Sequence, residues 1–172
     1  MSGEAAPSGP RAGSEDAGAD LLALSEPVRS RFQARHEARE TAYQASRDTI
    51  RNAANAIRAI HRGDLGTADE LVTESRRHLD TAYAAVEGVP DVLHSGFIQD
   101  AAKEYAEARL TRAAVTGRPL PGPDEVGVDD GSWLHGLAET VGELRRACLD
   151  HVRTGRLDDG EALLDTMQEI LS

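Results

Sequence analysis

VRSRFQARHEARETAYQASRDTIRNAANAIRAIHR, residues 28–62, is a stretch of 35 residues with no glycine or proline. Apolar or aromatic side chains recur at Val28, Phe32, Tyr43, Ile50, Ala54, Ile57 and His61. That spacing approximates the period of an α-helix, about 3.6 residues. Such a helix would be about 50 Å long at a rise of about 1.5 Å per residue, several times the usual length of about 11 residues. Helices of this length belong to bundles or assemblies, so the stretch decides the fold class: all-α. Pro27 stands where a helix can begin, and Gly63 supplies a C-cap.

Working outward, a second helix is expected over residues 67–87, with Ala68, Leu71, Val72, Leu79, Ala82, Tyr83 and Val86 on its apolar face. Gly88 and Pro90 end it. A third covers residues 91–116, with an interruption near Gly96. Residues 117–130 hold three prolines and three glycines and read as a loop. A fourth helix runs over 132–153, Gly155 ends it, and a fifth runs over 158–171. Residues 60–72 and 152–164 echo one another as helix, glycine cap, leucine and next helix, which is turn chemistry between antiparallel helices rather than a repeat array. The expectation is an antiparallel helical bundle of about five helices with a very long first helix, over residues 27–172. Residues 1–26 are Ser, Gly, Pro, Ala and acids without an apolar period, and are expected to form a disordered acidic tail.

At 172 residues the chain is long enough for one hydrophobic core. Cys148 is the single cysteine, so no internal disulfide can form, and it reads as a small buried hydrophobe. The first twenty residues have neither a basic nor an apolar region, so no secretory signal is expected. No run approaches the roughly 18 apolar residues of a membrane span. The expected location is the cytoplasm, with no membrane partner.

The net charge of −11 argues at first against a nucleic-acid partner. Its distribution argues otherwise. Between Arg29 and Arg62 there are eight arginines and only three acids, Glu37, Glu40 and Asp48. Arg47, Arg51, Arg58 and Arg62 recur at spacings of 4, 7 and 4 and form one stripe. A stripe of guanidinium groups can track a phosphate backbone. A solvated helix face would look similar, but acids to pair with these arginines are missing between Arg51 and Arg62.

Two glutamate pairs carry the other candidate chemistry. Glu104 and Glu107 lie at i and i+3 of the third helix, and Glu139 and Glu143 at i and i+4 of the fourth. With the helices antiparallel and these faces together, four carboxylates would converge. Four oxygen donors without sulfur suit a hard divalent cation, Mg²⁺ or Mn²⁺. Such a cation lowers the pKa of water and clamps a phosphodiester. Glutamate pairs also occur as plain solvated surface. Here the first pair continues into Ile98, Ala101 and Ala108, and the second into Leu137, Val141 and Leu144, which sets them at the edges of apolar stripes. Gly142 costs its helix about 1 kcal/mol relative to alanine, and is expected to admit another helix or a ligand. The six histidines form no ligand pair at i and i+4, no Glu-x-x-His occurs, and neither a phosphate-binding glycine loop nor a nucleophile elbow is present.

Residues 46–51 (SRDTIR) through 59–62 (AIHR) resemble the first-helix signature of the translin and translin-associated factor X family. Residues 100–108 (DAAKEYAEA) are similar to that family's Glu-Tyr-x-Glu-Ala motif, and residues 133–146 (WLHGLAETVGELRR) to its Tyr-Leu-x-Gly-x-x-Asp-x-x-Gly-Glu-Leu-x-Arg motif. All three stand in family order and spacing across about residues 27–171, and look nearest to archaeal or prokaryotic members. The resemblance implies a helical fold whose copies assemble around single-stranded RNA or DNA, as a homo-oligomer or with another translin-family chain. In the factor X branch it implies a metal-dependent endoribonuclease, whose metal-binding acids fall on Glu104, Glu107, Glu139 and Glu143. Glu139 replaces the Asp of animal factor X, and the Lys-Arg pair of its first helix falls on Ala54 and Asn55. Family members usually continue beyond the position of Ser172 with a helical stretch that contributes subunit contacts. The expected function is therefore single-stranded nucleic acid binding with endoribonuclease activity. The alternatives are a non-catalytic binding module or a structural subunit of a hetero-assembly.

Overall fold

The computed structural model describes the backbone from Gly13, and side chains from Asp20, through Ser172. Its elements are α1 (Gly13–His61), α2 (Leu65–Ala85), α3 (Pro90–Leu93), α4 (Phe97–Val115), α5 (Pro123–Val126), α6 (Asp130–Arg153) and α7 (Leu157–Leu171). Five are long, as the periodicity predicts, and α3 and α5 are single turns. No strand occurs among the described residues, and no helix among them is long and apolar enough to cross a membrane.

Two compact units are distinguished, Met1–Glu37 and Ala38–Ser172. In the first, α1 is already helical from Gly13, ahead of the predicted start, and Pro27 lies within the helix. The residues just before it, DLLALSE (20–26), are mostly strong helix formers. Their propensity accompanies the helix across Pro27, whose missing N–H removes a backbone hydrogen bond. The missing apolar period is expressed in burial instead: every side chain from residue 20 to 37 is exposed. The part of the predicted tail before Gly13 lies outside the described residues.

In the second unit, the rest of α1 packs through its small residues. Ala53, Ala56 and Ile57 meet Ala108 of α4, with Leu71 and Val72 of α2 against them. Ala59 and Ile60 meet Ala68, and Ala42 meets Ile98 and Val86. These contacts make α1 and α2 an antiparallel hairpin and run α4 alongside α1 in the same direction. The buried Ser75 hydroxyl donates to the Thr49 carbonyl at 3.0 Å across the hairpin. Arg112 of α4 donates twice to Asp69 of α2, at 2.8 and 2.9 Å.

Helix α4 is central and buried nearly all round, with Ile98, Ala101, Ala102, Tyr105, Ala106, Ala108, Leu110 and Ala114 inside. Its main neighbour is α6. Tyr105 and Ala106 meet Trp133 and Leu137, and Ala114 meets Leu144 and Ala147 further along. The two helices therefore run parallel. A parallel return of α4's 19 residues, about 28 Å at 1.5 Å per residue, needs a long crossover, which the Pro/Gly-rich loop provides. The crossover is pinned by Trp133 Nε1 donating to the Pro121 carbonyl at 2.9 Å. Arg76 Nη1 also donates to the Gly127 carbonyl at 2.7 Å. Asp129 caps α6 by accepting from the Ser132 amide at 3.0 Å. Helix α7 folds back on α6, where Leu163 and Met167 join the Leu144 cluster. Cys148, half-buried rather than fully so, donates its thiol to the Gly160 carbonyl at 3.3 Å.

Gly96 (φ +91°) makes the predicted break before α4. The echoed turns also share a mechanism. After Gly63 (φ +75°) and Gly155 (φ +79°), the next amide reaches back five residues, Asp64 to Ala59 and Arg156 to His151. This is the Schellman closure of a helix end.

The close approach of helices does not fall at Gly142, as expected, because nothing lies within 4 Å of a Cβ built there. It falls at Gly136, where a Cβ would stand 2.8 Å from Ala106 Cβ and 2.9 Å from both the Glu107 amide nitrogen and the Lys103 carbonyl oxygen. Gly136→Ala is expected to lower stability by about 1–3 kcal/mol through overpacking against backbone. Gly142→Ala should raise it by about 1 kcal/mol. Denaturant unfolding of the two variants checks both signs.

Candidate metal centre and nucleic-acid interface

Gly136 lets α6 lie against the turn of α4 that holds residues 103–107. One turn later, α6 presents Glu139 to Glu104 and Glu107. Carboxylate oxygens of these three residues all lie within 4.8 Å of one another. The convergence arises between parallel helices, not the antiparallel pair assumed from sequence.

The three carboxylates are not equivalent. Glu139 is exposed and Glu104 half-buried, whereas Glu107 is only 7% exposed. Among the described residues Glu107 has no hydrogen-bond or ion-pair partner. Burial first, then the charges of Glu104, Glu139 and Glu143, push its carboxyl up to about 7, against a small opposing effect of Lys103. The Lys103 ammonium donates to Glu139 Oε1 at 2.9 Å and pairs with Glu104 Oε1 at 3.1 Å. Burial works against that charge, but the bonds to Glu139 and Glu104 outweigh it and raise the lysine pKa.

Glu143 stands apart from the trio. Its Oε2 is bonded to Nε2 of His61, at the end of α1, whose side chain is 6% exposed. Arg146 flanks it at 3.9 Å. The sequence singles out neither Lys103 nor His61 for this site. Lys103 is the only lysine of the chain and directly precedes Glu104, a signal that could have been used. His61 fits the apolar period of α1, and no local pattern links it to a glutamate 82 positions away.

An all-oxygen donor set of this spacing, with a buried and partnerless carboxylate among it, suits Mg²⁺ or Mn²⁺. Glu104, Glu107 and Glu139 could hold such an ion directly. Glu143 would have to leave His61 to join them.

The arginines are distributed differently. Arg47, Arg51, Arg58 and Arg62 are all exposed. At 100° per residue they share one side of α1, roughly opposite the side that buries Ala53, Ala56 and Ile60. Arg51 pairs with Asp48 at 2.8 Å, Arg58 donates to Asn55 Oδ1 at 2.7 Å, and Arg47 lies over the Tyr43 ring at 6.0 Å. The stripe faces away from this chain's core and is not part of the carboxylate cluster.

The raised Glu107 pKa fixes the sign of a pH effect in the protein held in EDTA. Below about pH 4.5 the group is protonated in both folded and unfolded states. Between there and about 7 only the folded state keeps the proton. Stability should therefore fall as pH rises across that window, by an amount on the order of 3 kcal/mol. Glu107→Gln should flatten the profile. Urea unfolding at several pH values checks this, and a profile unchanged by the substitution would contradict it.

No family model matches the sequence, and no curated protein matches it. Solved structures do. AfC3PO, an archaeal protein, is similar with 26% identity and a TM-score of 0.76, over 84% of this chain and 75% of that one. Its complex with duplex RNA matches with 26% identity and a TM-score of 0.73, over 84% and 74%. The apo form of NeC3PO, from Neurospora, shares 16% identity at a TM-score of 0.70, over 84% and 94%. The chain has the translin-family helical fold of the C3PO proteins.

Proposed function

We propose that this protein binds RNA as part of a translin-type assembly and cleaves it as a metal-dependent endoribonuclease. The observation that carries the reading is the convergence of Glu104, Glu107 and Glu139 within 4.8 Å, one of them buried and partnerless. It is supported by the likeness to AfC3PO, which has been solved with duplex RNA. That complex brings duplex RNA into consideration beside the single strands expected from sequence.

Mg²⁺ or Mn²⁺, when bound, supplies the Lewis acidity that phosphodiester hydrolysis requires. Glu107, its carboxyl pushed up to about 7, would have to be ionised to serve as a donor. Glu104 and Glu139 supply donors from two helices fixed relative to each other at Gly136. Glu143, engaged by His61, would join as a fourth donor only on leaving that bond. Arg47, Arg51, Arg58 and Arg62 attract the phosphate backbone along α1. The likeness to the C3PO complexes is what supports an assembly, of identical copies or with another translin-family chain. Exposed leucines on α7 (Leu157, Leu164, Leu171) and on α1 (Leu21, Leu22, Leu24) offer apolar surface for such contacts.

End-labelled single-stranded and duplex RNA, incubated with Mg²⁺, Mn²⁺ or EDTA, test the chemistry. Cleavage should require the metal and fall by at least about 100-fold in Glu104→Gln/Glu107→Gln, as for loss of a metal centre. Binding without cleavage in either protein would sink the nuclease reading and leave a binding module. Neither binding nor cleavage would leave a structural subunit. Separately, Arg58→Gln/Arg62→Gln should weaken RNA binding irrespective of sequence. It should also lower the salt slope of the affinity by roughly 1 per arginine. An unchanged slope would remove α1 from the interface.

A further inference from the structure

The carboxylate cluster already contains a cation. The ammonium of Lys103 bridges Glu139 at 2.9 Å and Glu104 at 3.1 Å. These are two of the three groups whose oxygens lie within 4.8 Å of one another. The Lys103 side chain is 21% exposed and Glu104 25%, so that pair is partly screened from water, while Glu139 at 47% keeps the other side of the bridge open to solvent. The third carboxylate, Glu107, has no partner among the described residues. No other lysine exists anywhere in the chain, whose other basic residues, histidines aside, are all arginine. An ammonium on a flexible four-carbon stem can leave such a site and return to it, whereas a planar guanidinium held bidentately is a poorer leaving partner.

We propose that Lys103 is a built-in counter-cation that competes with the divalent metal for Glu104 and Glu139, and so sets the metal affinity of the site. The inference rests on the metal-site reading above. With no metal, the single positive charge of the ammonium is shared between two of the three converging carboxylates and stabilises the cluster. A divalent ion taking the same carboxylate oxygens would displace the ammonium, still protonated, from Glu104 and Glu139, and would be repelled by it at short range. Both effects weaken metal binding relative to the same three carboxylates alone. The metal-free fold gains in return, because like charges this close otherwise oppose packing of α4 on α6.

Isothermal titration with Mn²⁺ at pH 8, above the Glu107 value of about 7, tests the proposal on wild type, Lys103→Met, Lys103→Arg and Glu107→Gln. Lys103→Met should bind Mn²⁺ at least about tenfold more tightly than wild type, as expected for removing a competing charge. It should also melt earlier than wild type in EDTA and gain more in melting temperature on adding Mn²⁺. Lys103→Arg keeps the charge and should not bind more tightly than wild type, which separates charge from loss of side-chain packing. Glu107→Gln should abolish binding. If wild type binds and Lys103→Met binds equally or more weakly, the counter-cation role is wrong while the metal site stands. If neither binds, the metal-site reading itself fails, and this inference with it. Should Lys103→Met not fold, Lys103→Gln serves the same comparison, with folding checked by circular dichroism.

Discussion

The contact of α4 with α6 at Gly136 is the constraint on which the rest depends. A hydrogen in place of a Cβ lets the α6 backbone come against Ala106, the Glu107 amide and the Lys103 carbonyl. That approach sets Glu139, one turn on, opposite Glu104 and Glu107, within the parallel pair that the crossover joins. The same contact explains why Glu107 is buried. It sits in the face that α6 covers, where burial and the neighbouring carboxylates push its carboxyl up to about 7. A carboxyl in that condition is poor material for stability. Replacing it with an apolar or amide side chain would be an easy gain, so its presence fits a group kept for chemistry.

Charge is arranged on the same logic. The acidic cluster carries its own counter-ion in Lys103, and its outlying member Glu143 is held by His61 from α1. The basic stripe lies on the solvent side of α1, away from the side that buries Ala53, Ala56 and Ile60. The exposed leucines of α7 and the exposed side chains of residues 20–37 add apolar and uncovered surface elsewhere.

Much of this was legible in the sequence, and the parts that were not have physical reasons. The five long helices follow from periodicity, and their ends from Gly63, Gly88, Gly96 and Gly155. The glutamate pairs were found because i, i+3 and i+4 spacing is local. The direction in which α4 meets α6 was not local: it depends on whether a Pro/Gly-rich loop turns back or crosses over, and only packing decides that. For the same reason the sequence does not distinguish Gly142 from Gly136 as the glycine of close approach. Both are helical glycines, and only the neighbouring helix distinguishes them. His61 was concealed by its fit to an apolar period, and helix formation before Pro27 by a composition that also suits a disordered tail.

The most direct test of the account is diffraction from crystals grown with Mn²⁺, using the anomalous signal of the metal to locate it. The account predicts a peak among the carboxylates of Glu104, Glu107 and Glu139, with the Lys103 ammonium displaced from Glu104 and Glu139. A peak elsewhere, or none while Lys103 still bridges the two glutamates, would contradict it.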